Sequence, residues 1–123
     1  MYEVSIKTRF SAAHHLKGYR GACACVHGHN WETIVYIRGR NLDRIGILVD
    51  FKEVKKCVKK AIDELDHADL NKLPVFKKCN PTSENIARHL FGKISGSLNG
   101  KRYTVVRVTV GESPDNRVTY WQE

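Results

Sequence analysis

The chain has 123 residues and a formal net charge of +8, and 41% of its residues are hydrophobic. This length allows one domain with a modest core and excludes two, so residues 1–123 are expected to form a single domain. The sequence shows neither the apolar core of a signal peptide nor an apolar run as long as a membrane span, which predicts a cytoplasmic protein without a membrane partner.

The positive charge does not by itself predict a nucleic-acid partner. Lysines and arginines are scattered along the chain, and the densest runs, at residues 52–56 and 59–60, lie on one predicted helix, where a solvated face is the common explanation. A small polyphosphate substrate would account for the charge equally well. Basic residues interleaved with aromatic ones, typical of nucleic-acid surfaces, are not seen, so no nucleic-acid partner is expected.

Two strands are predicted in the first third of the chain. Apolar and polar residues alternate from residue 2 to residue 14, which is typical of a strand with one buried face. A glycine-containing loop follows, and a second alternating segment runs from His27 to Gly39. His14 therefore lies near the end of the first strand, and His27 and His29 lie at the start of the second.

Two amphipathic helices are predicted in the middle of the chain. Asp50 is a candidate N-cap, and apolar residues then recur at helical spacing as far as Leu65. Thr82 or Ser83 is the candidate N-cap of the second helix, whose apolar stripe ends at Leu98.

Three other residues of this region carry reactive side chains. Cys57 belongs to the first stripe and is predicted to be a small buried hydrophobe. His89 lies off the second stripe and is expected at the surface. Cys79 lies in the loop before the second helix and has no identifiable partner.

A β-hairpin is predicted at the end of the chain. Residues 103–110 are rich in β-branched side chains, and residues 118–121 form a last strand after a turn. The order strand, strand, helix, helix, strand, strand indicates an α+β fold in which two helices cover one face of an antiparallel sheet. The sheet edges must be paired or covered, so oligomerisation into a barrel is expected.

Three histidines on the first two strands form a candidate metal site. Side chains two positions apart on a strand point to the same face, so His27 and His29 can bind one ion. Extended backbone would place Cys23 about 20 Å from His29, whereas zinc ligands lie about 2.0–2.3 Å from the metal, so another segment must contribute. His14, on the same face as Phe10, is the obvious donor. Three histidines with a fourth position open are typical of catalytic zinc.

Taken together, the motifs resemble the 6-pyruvoyltetrahydropterin synthase superfamily, and most closely its 6-carboxytetrahydropterin synthase branch. They occur in the family's order and cover nearly the whole chain. The matching segments are F-S-A-A-H (10–14), C-x-x-x-H-G-H (23–29), L-V-D-F (48–51), L-D-H-A-D-L-N (65–71), N-P-T-S-E-N (80–85) and G-E-S-P (111–114). The resemblance implies a tunnelling fold (T-fold) whose trimeric barrels stack into a homohexamer, with active sites between subunits.

The resemblance also implies a role for each candidate residue. Zn²⁺ would be the cofactor, and its ligands would be His14, His27 and His29. Cys23 would be the catalytic cysteine, chosen over Cys25 because it lies four residues before His27. Its proton-transfer partners would be Asp66 and His67 of a neighbouring chain. Glu112 would bind the pterin, because one carboxylate can accept two adjacent N–H groups in a bidentate pair.

The implied substrate is 7,8-dihydroneopterin triphosphate. The 6-carboxytetrahydropterin branch removes triphosphate and cleaves a carbon–carbon bond, giving 6-carboxy-5,6,7,8-tetrahydropterin and acetaldehyde in queuosine biosynthesis. The C-x-x-x-H-G-H spacing and the short chain favour this branch. One alternative is the pyruvoyl branch, which stops after triphosphate elimination. Another is a non-catalytic zinc or nucleic-acid binding module.

Overall fold

The chain forms an α+β fold in the computed structural model, which describes residues 1–100 and 102–123. Its elements, in chain order, are β1 (Tyr2–His14), β2 (His27–Gly39), α1 (Phe51–Asp63), β3 (Ala68–Asp69), α2 (Ser83–Leu98), β4 (Tyr103–Gly111) and β5 (Arg117–Tyr120). The predicted fold class is confirmed, as is the predicted order of the four strands and two helices.

The strands form one sheet in the order β3-β1-β2-β4-β5. β1 and β2 pair in antiparallel register along their whole length, from Tyr2 opposite Gly39 to His14 opposite His27. β4 and β5 continue the antiparallel pairing. The structure adds the short strand β3, which pairs in parallel with β1 at Ala12 and Ala13. The sequence did not predict it, because two residues are too few to show alternation.

Both helices begin with the side-chain caps that the sequence suggests. The Asp50 carboxylate accepts a hydrogen bond of 2.9 Å from the backbone N–H of Lys52. At the start of α2, Thr82 and not Ser83 is the N-cap, and its hydroxyl accepts from the N–H of Asn85 at 3.1 Å. These bonds satisfy backbone donors that the first turn of a helix leaves free.

The core lies between the helices and one face of the sheet. Phe10 of β1 stacks on Trp31 of β2, with ring centroids 6.0 Å apart, and both are buried. Cys57 is half-buried and packs against this core, close to its prediction. On the opposite sheet face, the buried carboxylate of Glu32 lies 3.0 Å from Lys7 and 3.4 Å from Arg9. Strand alternation therefore places charged residues on one face and apolar ones on the other.

His89 differs from its prediction as a surface residue. Its side chain is half-buried, its ring packs edge-on against Phe76, and the Nε2 atom is shielded from solvent. Phe76 belongs to a short turn, Pro74–Phe76, that covers this side of α2. Helical periodicity within α2 alone could not reveal that cover. Within the described residues, neither helix is long and apolar enough to cross a lipid bilayer.

Candidate metal centre and active site

The three predicted metal ligands converge at one end of the β1–β2 pair. His14 ends β1 and lies opposite His27, the first residue of β2, while His29 lies opposite Ala12. All three side chains point to the core face of the sheet. One ligand nitrogen of each imidazole lies within 4.8 Å of the others. The antiparallel register thus brings together histidines that are up to 15 positions apart in sequence.

Backbone carbonyls orient two of these rings. The Nδ1 atom of His14 lies 2.7 Å from the carbonyl oxygen of Pro81, and Nδ1 of His27 lies 2.8 Å from that of Cys25. A carbonyl oxygen only accepts, so each Nδ1 carries the proton and donates. Each Nε2 therefore presents a lone pair to the centre of the cluster. A backbone acceptor behind the ring is typical of metal-binding histidines.

The spacing of the lone pairs fits a bound cation. The Nε2 atoms of His14 and His27 lie only 3.1 Å apart. Two ligands of a tetrahedral zinc, each about 2.0–2.1 Å from the metal, lie about 3.3 Å apart. The Nε2 atom of His29 is shielded from solvent and has no hydrogen-bond partner among the described residues. A divalent ion such as Zn²⁺ would satisfy all three atoms, so the residues fit this metal.

Burial favours the neutral, metal-binding form of two of the imidazoles, His14 and His29. His14 is 1% exposed. Burial lowers its pKa below the ordinary value, although the hydrogen bond to Pro81 opposes the effect. Burial also lowers the pKa of His29, against the opposing charge of Glu112. Because metals bind neutral imidazole, these shifts favour metal binding over protonation near neutral pH.

Glu112 lies at the edge of this centre, directly after β4. Its carboxylate oxygens are 3.9 Å from Nε2 of His14 and 3.8 Å from Nε2 of His29. These distances are too long for direct hydrogen bonds. The side chain is 34% exposed, so one side of the carboxylate faces the histidines and the rest is accessible to a ligand. The predicted pterin-binding group is therefore beside the predicted metal ligands in the same chain.

The two cysteines before His27 have different environments. Cys23 is half-buried in the short turn Ala22–Ala24, and its carbonyl accepts a hydrogen bond of 2.9 Å from the N–H of Leu16. Cys25 has an exposed side chain, and its carbonyl accepts from His27. All four cysteines of the chain are free thiols. The structure thus gives Cys25 a role that uses only its backbone.

Asp66 and His67 lie outside the histidine cluster, at the edge of β1. One carboxylate oxygen of Asp66 accepts from the N–H of Ser11 at 2.9 Å and lies 3.1 Å from Nδ1 of His67. The bond from Ser11 holds the pKa of Asp66 below its usual value, with the nearby His67 acting in the same direction. His67 has a φ of 59° and a side chain that is 82% exposed. The backbone thus presents this imidazole outward, with Asp66 as its orienting partner.

Sequence reasoning missed the carbonyl that orients His14. Pro81 belongs to the N-P-T-S-E-N motif, but a backbone carbonyl leaves no signal in residue type. It also missed two amide side chains, Asn71 and Asn80, that hydrogen-bond the backbone just after His14. Asn71 lies in the L-D-H-A-D-L-N motif and Asn80 in the N-P-T-S-E-N motif, but neither amide carries chemistry that would single it out.

The helix-covered antiparallel sheet, with three histidines converging at one end, defines a T-fold protein with a candidate metal centre. The sequence matches the family described as 6-pyruvoyl tetrahydropterin synthase over residues 3–123, and the chain belongs to this family. The predicted family is therefore confirmed. So is the prediction that the chain is an enzyme rather than a non-catalytic binding module.

Three relatives illustrate the match. A protein of Archaeoglobus fulgidus, provisionally named as a 6-carboxy-5,6,7,8-tetrahydropterin synthase, is 36% identical over 112 residues, which is 91% of this chain and 89% of that protein. The 6-carboxy-5,6,7,8-tetrahydropterin synthase of Bacillus subtilis is 30% identical, covering 97% of this chain and 84% of its own length. The structure of Caenorhabditis elegans 6-pyruvoyl tetrahydropterin synthase superposes with a TM-score of 0.85 at 30% identity, covering 100% of this chain and 98% of that one.

Proposed function

We propose that the chain is a zinc-dependent 6-carboxy-5,6,7,8-tetrahydropterin synthase, a carbon–carbon lyase. It would convert 7,8-dihydroneopterin triphosphate to 6-carboxy-5,6,7,8-tetrahydropterin with release of acetaldehyde and triphosphate, in queuosine biosynthesis. The observation that carries the proposal is the convergence of three imidazole lone pairs beside Glu112. The names of the relatives from A. fulgidus and B. subtilis favour this branch of the family.

His14, His27 and His29 would hold Zn²⁺ in this proposal. Zinc with an open coordination position acidifies bound hydroxyl groups and stabilises developing oxyanions. The chain contributes the geometry, because the carbonyls of Pro81 and Cys25 orient two rings. The buried His14 ring also keeps water away from one side of the centre.

Glu112 would bind the pterin ring. A pterin presents an exocyclic amino group and a ring N–H side by side, and one carboxylate can accept both in charge-assisted hydrogen bonds. Because Glu112 lies within 3.9 Å of two metal ligands, a pterin held there would place its polyhydroxy side chain next to the metal centre. This position matches the requirement that the reaction occurs on the side chain.

In its thiolate form, Cys23 would abstract a proton from the side chain of the pterin substrate, with Asp66 and His67 as proton-transfer partners. Asp66 is bonded to both Ser11 and His67, so it would hold the imidazole in one orientation. His67 is exposed at a sheet edge, which supports the proposal that its imidazole contributes to the active site of a neighbouring chain. We propose that this neighbour belongs to a homohexamer built as a dimer of trimers, whose strands pair into a barrel.

The 6-pyruvoyltetrahydropterin reaction is the second candidate. It is favoured by the likeness to the C. elegans 6-pyruvoyl tetrahydropterin synthase structure. Both reactions start from the same substrate and require the same metal and pterin contacts. They differ in whether a carbon–carbon bond is broken, so the products separate them.

Product analysis tests the proposal. Purified, zinc-loaded protein is incubated with 7,8-dihydroneopterin triphosphate, and the products are identified by mass spectrometry and by an assay for acetaldehyde. We expect 6-carboxy-5,6,7,8-tetrahydropterin and acetaldehyde in equal amounts. A 6-pyruvoyl product without acetaldehyde would instead support the second candidate. Unchanged substrate in the presence of metal-loaded, folded protein would refute both.

A further inference from the structure

We propose that Asn71 and Asn80 are positioning residues of this active site, an inference that rests on the proposed function. Asn71 accepts from the N–H of His15 at 2.9 Å and donates to the carbonyl of the same residue at 3.0 Å. Asn80 makes the same pair of bonds to Lys17, both of 2.9 Å. An amide side chain offers both a donor and an acceptor, so each asparagine replaces the backbone of a paired strand.

The two asparagines continue the sheet past the end of β1. Along the same edge of β1, Ser11 is bonded to Asp66 and His67, and β3 pairs at Ala12 and Ala13. Residues 15 and 17 follow with the two-residue period of a strand edge. The chain after His14 is thus held in register by the side chains of Asn71 and Asn80, which we call the clamp. Within the described residues, no backbone strand pairs with this edge beyond β3.

The segment held in this way adjoins two groups of the proposed site, His14 and Cys23. Leu16 lies between His15 and Lys17, the two residues that the clamp binds. It donates its N–H to the carbonyl of Cys23 at 2.9 Å. The loop that bears the proposed catalytic thiol is therefore tied to the clamped backbone. His14 directly precedes the segment, and the Pro81 carbonyl that orients its ring directly follows Asn80.

Asn80 is itself attached to α2. Its carbonyl accepts a hydrogen bond of 2.9 Å from the amide of Asn85, in the first turn of that helix. Because α2 packs in the core, its hydrogen bond to Asn80 fixes the clamp. The clamp in turn fixes the backbone next to His14 and the loop that bears Cys23. A misplacement of about 1 Å can cost an enzyme on the order of 100-fold in rate, so this connection should matter for catalysis.

Neither aspartate nor alanine reproduces the clamp. Aspartate keeps the acceptor and the size of asparagine, but it lacks the donor and would place a carboxylate against a carbonyl oxygen. Alanine removes both bonds. The matched control is Asn99→Ala, because Asn99 also accepts a backbone hydrogen bond, from Val105 at 2.7 Å, but lies in the turn after α2 and is tied to β4.

The experiment compares Asn71→Asp, Asn71→Ala, Asn80→Asp and Asn80→Ala with Asn99→Ala and with the unmodified chain. Three quantities are measured on folded protein: kcat and KM, zinc affinity by competition with a chelator, and the rate at which iodoacetamide alkylates Cys23, located by peptide mass spectrometry. We expect the Asn71 and Asn80 variants to lose about 10- to 100-fold in kcat with a smaller change in KM. Cys23 alkylation should become faster, and zinc affinity should fall about 10-fold for the Asn80 variants.

The inference is overturned if these variants lose thermal stability as Asn99→Ala does but keep the original kcat, zinc affinity and alkylation rate. The asparagines would then be structural only. Zinc affinity and alkylation do not depend on turnover. An unmodified chain that fails to convert the pterin therefore refutes the proposed function, whereas the two binding and labelling measurements still decide whether the clamp positions His14 and Cys23. If an alanine variant does not fold, the aspartate variant at the same position gives the same decision.

Discussion

The Nε2 atoms of His14 and His27 face each other at 3.1 Å, and the Nδ1–H of each ring donates a hydrogen bond to a backbone carbonyl. With both Nδ1 atoms protonated, neither Nε2 atom has a hydrogen to donate to the other. Two lone pairs at this distance repel each other unless a cation lies between them. A proton or a metal ion between the two atoms would relieve this repulsion, and burial of His14 disfavours the proton.

Zinc should therefore stabilise the fold. A ligand that binds only the folded state contributes about 2.7 kcal/mol to the free energy of unfolding when its free concentration is 100 times its Kd. We expect chelation to lower Tm and added zinc to restore it. His27→Ala should show neither effect, whereas His67→Ala, which alters an exposed histidine outside the cluster, should respond as the unmodified chain does. An equal response to zinc in His27→Ala would rule out the metal centre described here.

The two neighbouring cysteines should differ sharply in their importance. Cys23→Ala should reduce turnover by at least about 100-fold, because it removes the proposed proton acceptor, while zinc remains bound. Cys25→Ala should keep most activity, since the carbonyl that orients His27 survives the substitution. Steady-state rates and zinc content of both variants provide the measurement. If Cys25→Ala is the inactive variant, the choice of Cys23 is wrong.

Replacement of Glu112 should weaken substrate binding. Glu112→Gln keeps the shape of the side chain but places an amide donor against the N–H groups of the pterin. We expect the binding free energy to weaken by roughly 2–5 kcal/mol. Binding of a non-reactive pterin can be measured by calorimetry, with Glu64→Gln as the control because Glu64 is an exposed partner of Lys93. Unchanged affinity in Glu112→Gln would place the pterin elsewhere.

His89 should make the fold sensitive to acid. Burial, assisted by the charge of Lys93 and opposed by Glu64, lowers the pKa of His89 below 6.5. Below about pH 6.5 the unfolded chain gains a proton at this residue while the folded chain does not. The contribution of neutral His89 to stability is therefore complete above pH 6.5 and is lost as the pH falls toward its folded pKa.

Urea unfolding of zinc-free protein at pH 7.5 and pH 5.5 measures this effect. The free energy of unfolding should fall less between the two pH values in His89→Gln than in the unmodified chain. His67→Gln, which changes an exposed histidine, should follow the unmodified chain. An identical fall in all three proteins would show that another group is responsible.

Local sequence patterns were sufficient for most of the fold and for the histidine cluster. Alternation placed His14 on the Phe10 face and His27 and His29 on one face of β2, as the structure shows. Alternation does not give register, however, because the loop between β1 and β2 is too long to set it through a defined turn. The pairing of His14 with His27 became visible only in the structure.

The features that the sequence did not reveal depend on contacts between distant segments. The Pro81 carbonyl reaches a histidine 67 positions away, and the burial of His89 depends on Phe76 in a neighbouring turn. Asn71 and Asn80 act on backbone atoms 56 and 63 positions away. Such contacts are selected by tertiary packing, so residue type and periodicity do not predict them.

The last prediction concerns the origin of His67. If Asp66 and His67 serve the Cys23 of a neighbouring chain, two inactive variants should complement each other. A chain with His67→Ala still provides Cys23, and a chain with Cys23→Ala still provides His67, so an intact site forms where the two meet. Refolding the variants together should restore about a quarter of the sites at random assortment. Each variant refolded alone should remain inactive, and an inactive mixture that contains mixed oligomers would place all of these groups within one chain.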